Sequence, residues 1–302
     1  MKQVWNMYFL RQMSVTAAVF LFALSIVQDT HANASLENQK IEILNKLKML
    51  TQSVATSACY IGSFYEADRY SGKLSQSIDT FNANLDKLIN GEEITDFPKE
   101  DDPKILAQLK KLDTNWKLLQ FASDILLRTS KLPGLDVDII AEFNMPTLEQ
   151  ADRAISAMEQ QYTSTKSDQA NIRTLQLIGD QVVLVQKITK EFCLISYQYA
   201  SVKDRQRLRD AVRLFDQNLM DLTKGNSAEN ILSAPTKGIV KTLGRVSDNW
   251  EDPREILLKI ADGKHATYDD FDEITYMNKK LVKYNKIAQS QFLRYFQSQS
   301  GE

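Results

Sequence analysis

The stretch LSQSIDTFNANLDKLING, residues 74–91, occurs a second time as LRDAVRLFDQNLMDLTKG, residues 208–225. Six positions are identical in the two copies, and the match extends without a gap over residues 41–116 and 175–250. The offset is 134 positions throughout, which is the length of a domain and not of a short solenoid repeat. We therefore interpret the chain as a duplicated domain.

The quoted stretch has the spacing of one face of a helix. Its apolar residues follow each other at intervals of three or four: Leu74, Ile78, Phe81, Leu85 and Leu88. Such a stripe predicts an amphipathic helix, and Gly91 is placed to end it. The chain has only 10 Gly and 6 Pro in 302 residues, as expected of long helices joined by few loops.

The same pattern predicts four helices in each repeat. In the first repeat they cover residues 36–70, 74–89, 103–128 and a segment from Thr147 onwards, after a loop bracketed by Pro133 and Pro146. In the second repeat they cover residues 169–202, 204–224, 236–262 and 267–298, with Pro253 interrupting the third. Four such helices most simply pack as an up-down bundle. The predicted fold is all-α, with two tandem four-helix up-down bundles after a signal peptide.

The relative placement of the two bundles stays open. Residues 162–173 are polar but contain neither Gly nor Pro, so the last helix of the first repeat can run straight into the second and form a rod. A turn there would instead lay the bundles side by side as a pseudo-dimer. We slightly favour the rod.

The first residues resemble an export signal. Lys2 and Arg11 precede an apolar stretch at residues 14–27, and Ala32-Asn33-Ala34 is a small-x-small cleavage site. We expect cleavage near Ala34 and a periplasmic protein, with an uncleaved membrane anchor as the alternative.

The predicted domains are therefore residues 1–34 as signal peptide, 35–165 as the first helical domain and 166–302 as the second.

Charge and residue inventory argue against several functions. The net charge is −2, with 37 basic and 39 acidic residues, so nothing indicates nucleic acid as a partner. After the signal peptide only His265 remains as a histidine, which excludes a histidine-dependent triad or a multi-histidine metal site. The sequence has no C-x-x-C-H motif and no glycine-rich phosphate loop. We expect no cofactor, no metal and no enzymatic activity.

Cys59 and Cys193 are the only cysteines and occupy equivalent positions of the two repeats. A disulfide requires Cα atoms within about 7 Å, which two first helices lying side by side offer and two bundles stacked end to end do not. The alternative is a pair of buried free cysteines, which are common in cores.

The first helix of each repeat carries a family resemblance. Asn45-Lys-Leu-Lys-Met-Leu-Thr-Gln52 and Gly179-Asp-Gln-Val-Val-Leu-Val-Gln186 resemble the Ala-Gly-x-Gln-Arg-Met-Leu-Ser-Gln-Arg helix of the PilJ-type domain. This module is the periplasmic part of type IV pili methyl-accepting chemotaxis transducers and is similar to the NarX nitrate sensor domain. The resemblance implies a sensor of two tandem modules.

The resemblance also implies candidate ligand contacts. In the nitrate sensor an arginine of this helix meets the anion across a dimer interface, and Lys48 and Val182 take its place here. Lysine can attract an anion as a point charge but cannot give the two-pronged contact of arginine, so nitrate specificity is doubtful. The candidate ligand-binding residues are Asn45, Lys48, Gln52, Gln181 and Gln186. A solvated lysine and glutamines bonded across the bundle core are the alternative interpretation.

The sequence thus predicts an exported, non-enzymatic sensor-type binding module that serves a membrane chemoreceptor, sensor kinase or type IV pilus system. A small anion or polar metabolite, a membrane receptor or envelope protein, and a second copy in a homodimer are the expected partners. The alternative is a structural or adaptor protein of the envelope without a small ligand.

Overall fold

In the computed structural model, the described residues are 36–37, 39–129, 134–162, 166–197 and 202–299. The predicted signal peptide lies outside them. Two compact units are present, residues 1–42 and 43–302. In the first, the described residues are helical. Both repeats contribute to the second unit, and the boundary between domains 35–165 and 166–302 stays a prediction.

All regular elements among the described residues are helical, apart from two isolated bridges, as the sequence predicts. The helices of the second unit are α1 (residues 43–62), α2 (Ala67–Asn90), α3 (Pro103–Thr129), α4 (Gly134–Tyr162), α5 (Lys166–Ser196), α6 (Val202–Lys224), α7 (Lys237–Asp248), α8 (Glu251–Ala261) and α9 (Tyr268–Gln299).

Helices α1 to α4 form the first bundle. Each is joined to its neighbour by a side-chain hydrogen bond: Ser53 of α1 to Ser77 of α2, Trp116 of α3 to Asn82 of α2, and Asn144 of α4 to the Thr51 carbonyl oxygen of α1. The buried Trp116 ring stacks on Phe81 with centroids 3.6 Å apart.

Helices α5 to α9 form the second bundle, in which α7 and α8 together take the place of α3. The predicted interruption at Pro253 is confirmed, since α8 begins at Glu251 and places the proline in its first turn, where no helical N–H is required. Trp250 repeats the contact of Trp116, because its Nε1 donates to Asp216, the residue equivalent to Asn82. The bundle core consists of two apolar clusters, one around Phe215 and one around Phe292.

The quoted repeat ends each time in the same turn. Gly91 and Gly225 both have a left-handed backbone, with φ of 81° and 80°. A Cβ at Gly91 would lie 2.8 Å from the Phe97 carbonyl oxygen, and at Gly225 3.0 Å from the Ser233 nitrogen. Glycine is therefore required at both positions, by conformation and by space.

Two predicted boundaries in the first repeat are wrong. The first helix does not reach residue 70, because the chain turns at Phe64 and Glu66, which adopt positive φ without being glycine. The loop predicted before Pro146 is helical, since α4 contains this proline. The Pro146 carbonyl oxygen accepts a hydrogen bond from Asn115 Nδ2 (3.2 Å), which joins α3 to α4 at this point.

The rod arrangement is also wrong. α1 and α5 lie side by side, joined by the Cys59–Cys193 disulfide and by an ion pair between Lys48 and Asp180. Two bundles stacked end to end could not form these contacts. The two repeats therefore pack as an intramolecular pseudo-dimer.

Candidate functional site

The surface on which α1 and α5 contact, here called the inter-repeat interface, contains most of the predicted ligand-binding residues. Contacts at successive levels join Lys48 to Asp180, Thr56 to the Gln186 carbonyl oxygen (3.3 Å) and Cys59 to its partner cysteine. Residue numbers rise together along both helices, so α1 and α5 run parallel. Equivalent segments of the two repeats thus face each other.

The disulfide lies at one end of this interface. Cys59 and Cys193 have Cα atoms 6.1 Å apart, and both residues are fully buried. The separation fits an ordinary disulfide. Because the two positions are equivalent in the repeats, the bond joins each repeat to its own counterpart.

Lys48 is held by two carboxylates within the interface. Its Nζ lies 2.6 Å from Asp152 of α4 and 2.8 Å from Asp180 of α5. Burial lowers the pKa of Lys48, but the attraction of Asp180 and Asp152 outweighs it, so the pKa is raised. The three groups together carry a net negative charge. An anion arriving here would therefore meet two carboxylates as well as the ammonium group.

Gln52 and Asn45 lie on the same helix as Lys48. Gln52 is fully buried, and its Nε2 donates to Thr51 Oγ1 (3.1 Å), while its Oε1 has no hydrogen-bond partner among the described residues. Asn45 approaches Gly179 of α5, whose Cβ would lie 3.9 Å from Asn45 Cγ. A buried unpaired carbonyl oxygen can accept a hydrogen bond from a ligand or water. Gln52 therefore suits a neutral or cationic donor better than an anion.

The side chains of Gln181 and Gln186, the predicted residues of α5, point away from this interface into the second bundle. Gln186 Nε2 donates to Asn278 Oδ1 of α9 (3.3 Å), so its side chain contacts its own bundle. Gln181 is buried in the second bundle, where its Nε2 donates to the Phe215 carbonyl oxygen (3.2 Å). The structure thus brings Asn45, Lys48 and Gln52 together but places Gln181 elsewhere. Whether any of them binds a ligand stays a prediction.

The apolar segment Val182–Val185 is covered on all sides. None of its four residues is more than 6% exposed. Apolar character around the whole helix indicates such cover from the sequence alone.

A buried polar network that the sequence did not reveal joins α4 to α5. Lys190 Nζ lies 3.0 Å from both Glu191 Oε1 and Asn144 Oδ1. Burial lowers the pKa of Lys190, while Glu191 opposes this shift. Arg207 of α6 also contacts Glu191 Oε1 (3.2 Å), and the buried Glu191 Oε2 has no hydrogen-bond partner in the part of the chain that the structure describes. Lysine and glutamate usually lie on solvent-exposed helix faces, so their positions in the sequence do not predict a buried ion pair.

Asn144 and Asn278 occupy equivalent positions, and each bonds to the first helix of its own repeat. Asn144 Nδ2 donates to the Thr51 carbonyl oxygen (2.7 Å), and Asn278 Nδ2 donates to Thr189 Oγ1 (2.8 Å). Each asparagine also accepts a hydrogen bond from α5. Extending the comparison of the two repeats beyond residue 250 reveals this pair in the sequence, because Asn144 and Asn278 lie 134 positions apart.

A polar level, formed by the side chains of Gln181 and Asn285, lies inside the second bundle. Gln186 bonds to Asn278, and Gly179 lies against Gln289, so α5 and α9 run antiparallel with Gln181 opposite Asn285. Gln181 and Asn285 are both fully buried, and no described residue forms a hydrogen bond with the side-chain carbonyl oxygen of either. The first bundle has Leu47 and Ala151 at the equivalent positions. The polar level is therefore specific to the second bundle.

The described residues contain neither a metal-binding cluster nor a membrane-spanning helix. No group of three or more histidine, cysteine or acidic side chains converges there as a metal ion requires. Within the same residues, no helix has both the length and the apolar character needed to cross a bilayer.

Comparison with known families gives one match. Residues 28–133 match the family Type IV pili methyl-accepting chemotaxis transducer N-term, PilJ. The match covers about a third of the chain and confirms the resemblance drawn from the Asn45–Gln52 helix. A second PilJ copy stays a prediction. No curated protein matches the chain.

Proposed function

We propose that the chain is an exported, non-enzymatic sensor-type module that binds a ligand or partner for a membrane chemoreceptor, sensor kinase or type IV pilus system. The PilJ match over residues 28–133 carries this proposal, since the matched family is named for a chemotaxis transducer. The second repeat then acts as a second, diverged module in the same chain.

The inter-repeat interface supports a sensory role. α1 and α5 are parallel and bonded to each other, and α4 reaches α5 through Asn144 and Lys190. A ligand or partner that changes the packing of one first helix would therefore displace the other. Such a paired element is what a two-state sensor needs.

The disulfide supports export. Disulfides persist in oxidising compartments such as the periplasm and are rare in the cytosol. Both cysteines of the chain are used in this bond. Export with cleavage near Ala34 predicts a periplasmic protein whose first residue is close to Ser35, and N-terminal sequencing of purified envelope material measures this directly.

The ligand proposed for the interface is a polar metabolite with a hydrogen-bond donor. Gln52 Oε1 offers a buried acceptor, while Asp152 and Asp180 already neutralise Lys48. A small anion, the other expected ligand, would have to displace a carboxylate from Lys48.

A thermal-shift panel of anions and polar metabolites tests ligand binding, because a ligand bound only by the folded state raises its apparent stability. We expect a saturable rise with at least one polar metabolite, which Gln52→Leu removes. Lys46→Ala, on the exposed side of the same helix, is the matched control and should leave the shift unchanged. A panel without any shift would contradict the ligand-binding proposal.

Cross-linking in the native envelope tests the partner. We expect a receptor, kinase or pilus protein to be enriched with the full chain and to be reduced when the inter-repeat interface is altered by Lys48→Ala, which removes the ion pair to Asp180. Enrichment of none of these classes would contradict the accessory role.

The adaptor alternative rests on one observation. Leu118 and Phe121 of α3 are 46% and 67% exposed and lie three residues apart, hence on one face. An envelope adaptor would use such a face for a protein contact. In that case Phe121→Glu would abolish partner capture, whereas no ligand would shift the melting temperature.

A further inference from the structure

A groove of about 460 Å³ lies where the α1–α2 turn meets α9. One wall belongs to the first repeat and the other to the second. Its lining residues are Tyr65, Glu66, Arg69, Asp269, Asp272, Glu273, Thr275, Tyr276 and Lys279. The volume is within the range of small-molecule sites.

One aromatic lining residue, Tyr65, is packed against other rings. Tyr65 is only 6% exposed, and its ring lies 5.3 Å from Tyr268 and 5.4 Å from Phe271, measured between centroids. The Tyr65 hydroxyl donates to Asp272 Oδ1, so this carboxylate is held in place. At the rim, Tyr276 is 52% exposed.

The charges of the groove are only partly compensated. Arg69 pairs with Glu66 within the first wall. Asp269 and Glu273 lie four residues apart on α9, and neither forms an ion pair within the described part of the chain. Like charges at this spacing repel each other on a helix. With Lys279 as the other basic residue, the lining has four carboxylates and two cations.

We infer that this groove binds a small organic cation carrying an ammonium group. The inference rests on the proposed sensor function and adds a second ligand site to it, separate from the inter-repeat interface. Carboxylates attract the positive charge, and aromatic faces attract ammonium groups through their quadrupole. The Tyr276 ring shows this affinity within the chain, since Lys280 Nζ lies 4.9 Å from its centroid. A bare metal ion is the poorer fit, because no three ligand groups converge among the described residues.

The first repeat lacks the residues that form the α9 wall of this groove. The positions equivalent to Glu273, Tyr276 and Lys279 are Ile139, Glu142 and Met145, so the repeat does not reproduce the α9 wall. Binding is therefore expected at one molecule per chain.

Isothermal titration calorimetry on the disulfide-bonded protein tests the inference. The probes are tetramethylammonium chloride and 1,4-diaminobutane dihydrochloride, compared with potassium chloride and sodium nitrate at equal ionic strength. We expect saturable one-to-one binding of at least one organic cation and none of the two inorganic salts. Glu273→Gln and Tyr276→Leu should each weaken it roughly threefold or more.

Glu229→Gln is the matched control, because Glu229 lines a separate cleft of about 340 Å³ and should leave the affinity unchanged. The inference is overturned if neither organic cation binds, if potassium binds equally well, or if Glu273→Gln and Tyr276→Leu bind like the wild type. Retained partner capture together with absent cation binding would overturn only this inference. Loss of partner capture with intact cation binding would instead contradict the accessory role.

Discussion

Lys48 lies between two carboxylates from two other helices, and this placement makes it a structural residue whatever it binds. We expect Lys48→Ala to lower the free energy of unfolding by about 1 kcal/mol, since the partly exposed aspartates are screened by solvent. Lys46→Ala serves as the control, because Lys46 is exposed and has no ion pair within the described residues. Urea denaturation of both variants measures the difference, and equal stabilities would contradict the ion-pair assignment.

The raised pKa of Lys48 sets the direction of its pH dependence. Its contribution to stability is fully present below the ordinary lysine pKa of about 10.4 and is lost as the pH rises through the higher pKa of the folded protein. The stability difference between wild type and Lys48→Ala should therefore be constant from neutral pH to about pH 10 and then shrink. A difference that disappears already near pH 8 would contradict the raised pKa.

The side chains of Lys190 and Glu191 are both almost completely buried, so the charge of each is stabilised by the opposite charge of the other. Lys190→Met should cost about 3–5 kcal/mol, because it leaves Glu191 with only the partly exposed Arg207 as a counter-ion. The double variant Lys190→Met, Glu191→Gln should recover a large part of this loss. A double-mutant cycle measured by chemical denaturation gives the coupling energy, and strict additivity of the two changes would show that the pair is not coupled.

At the scale of elements, the second bundle contains a polar level that the first lacks. Replacing Gln181 and Asn285 by the residues of the first bundle, in the double variant Gln181→Leu, Asn285→Ala, removes two buried carbonyl oxygens without partners. We expect a gain of about 1 kcal/mol in unfolding free energy. The reverse change in the first bundle, Leu47→Gln with Ala151→Asn, should cost about 2 kcal/mol or more. A loss of stability in the first variant would show that bound water or a ligand satisfies these oxygens.

Sequence patterns predicted the helices where an apolar stripe and a glycine stop coincide, as in α2 and α6. They failed at the α1–α2 turn, where Phe64 and Glu66 adopt a left-handed backbone. A glycine at either position would have indicated a turn in the sequence, but neither residue is glycine. They failed again at Pro146, which lies inside α4 and is contacted there by Asn115 of α3, although proline usually ends a helix. Both errors arise from tertiary contacts or strained backbone, which residue spacing does not record.

The sequence pointed to one helix of the candidate site but not to the residues that pack against it. The motif helix directed attention to Asn45, Lys48 and Gln52, which do lie together. The counter-ions of Lys48 come from α4 and α5, far away in sequence, so only the packing of the two repeats reveals them.

At the scale of the whole molecule, the disulfide closes a loop of 134 residues. The double variant Cys59→Ala, Cys193→Ala should lower the free energy of unfolding by up to about 5 kcal/mol, because a longer loop loses more entropy when it is closed in the unfolded chain. Guanidinium denaturation with and without reductant measures this loss. The wild type under reductant is the control and should resemble the variant, and a variant as stable as the oxidised wild type would contradict the assigned bond.

The covalent link between equivalent cysteines also has a consequence for assembly. A symmetric pair made from two separate chains falls apart on dilution and must present identical residues from both partners. Here both halves belong to one polypeptide, so their association is independent of protein concentration. The two halves are also free to differ, with Lys48 facing α5 from one side and Val182 at the matching place on the other. One molecule can thus hold an asymmetric interface between its two halves at any expression level.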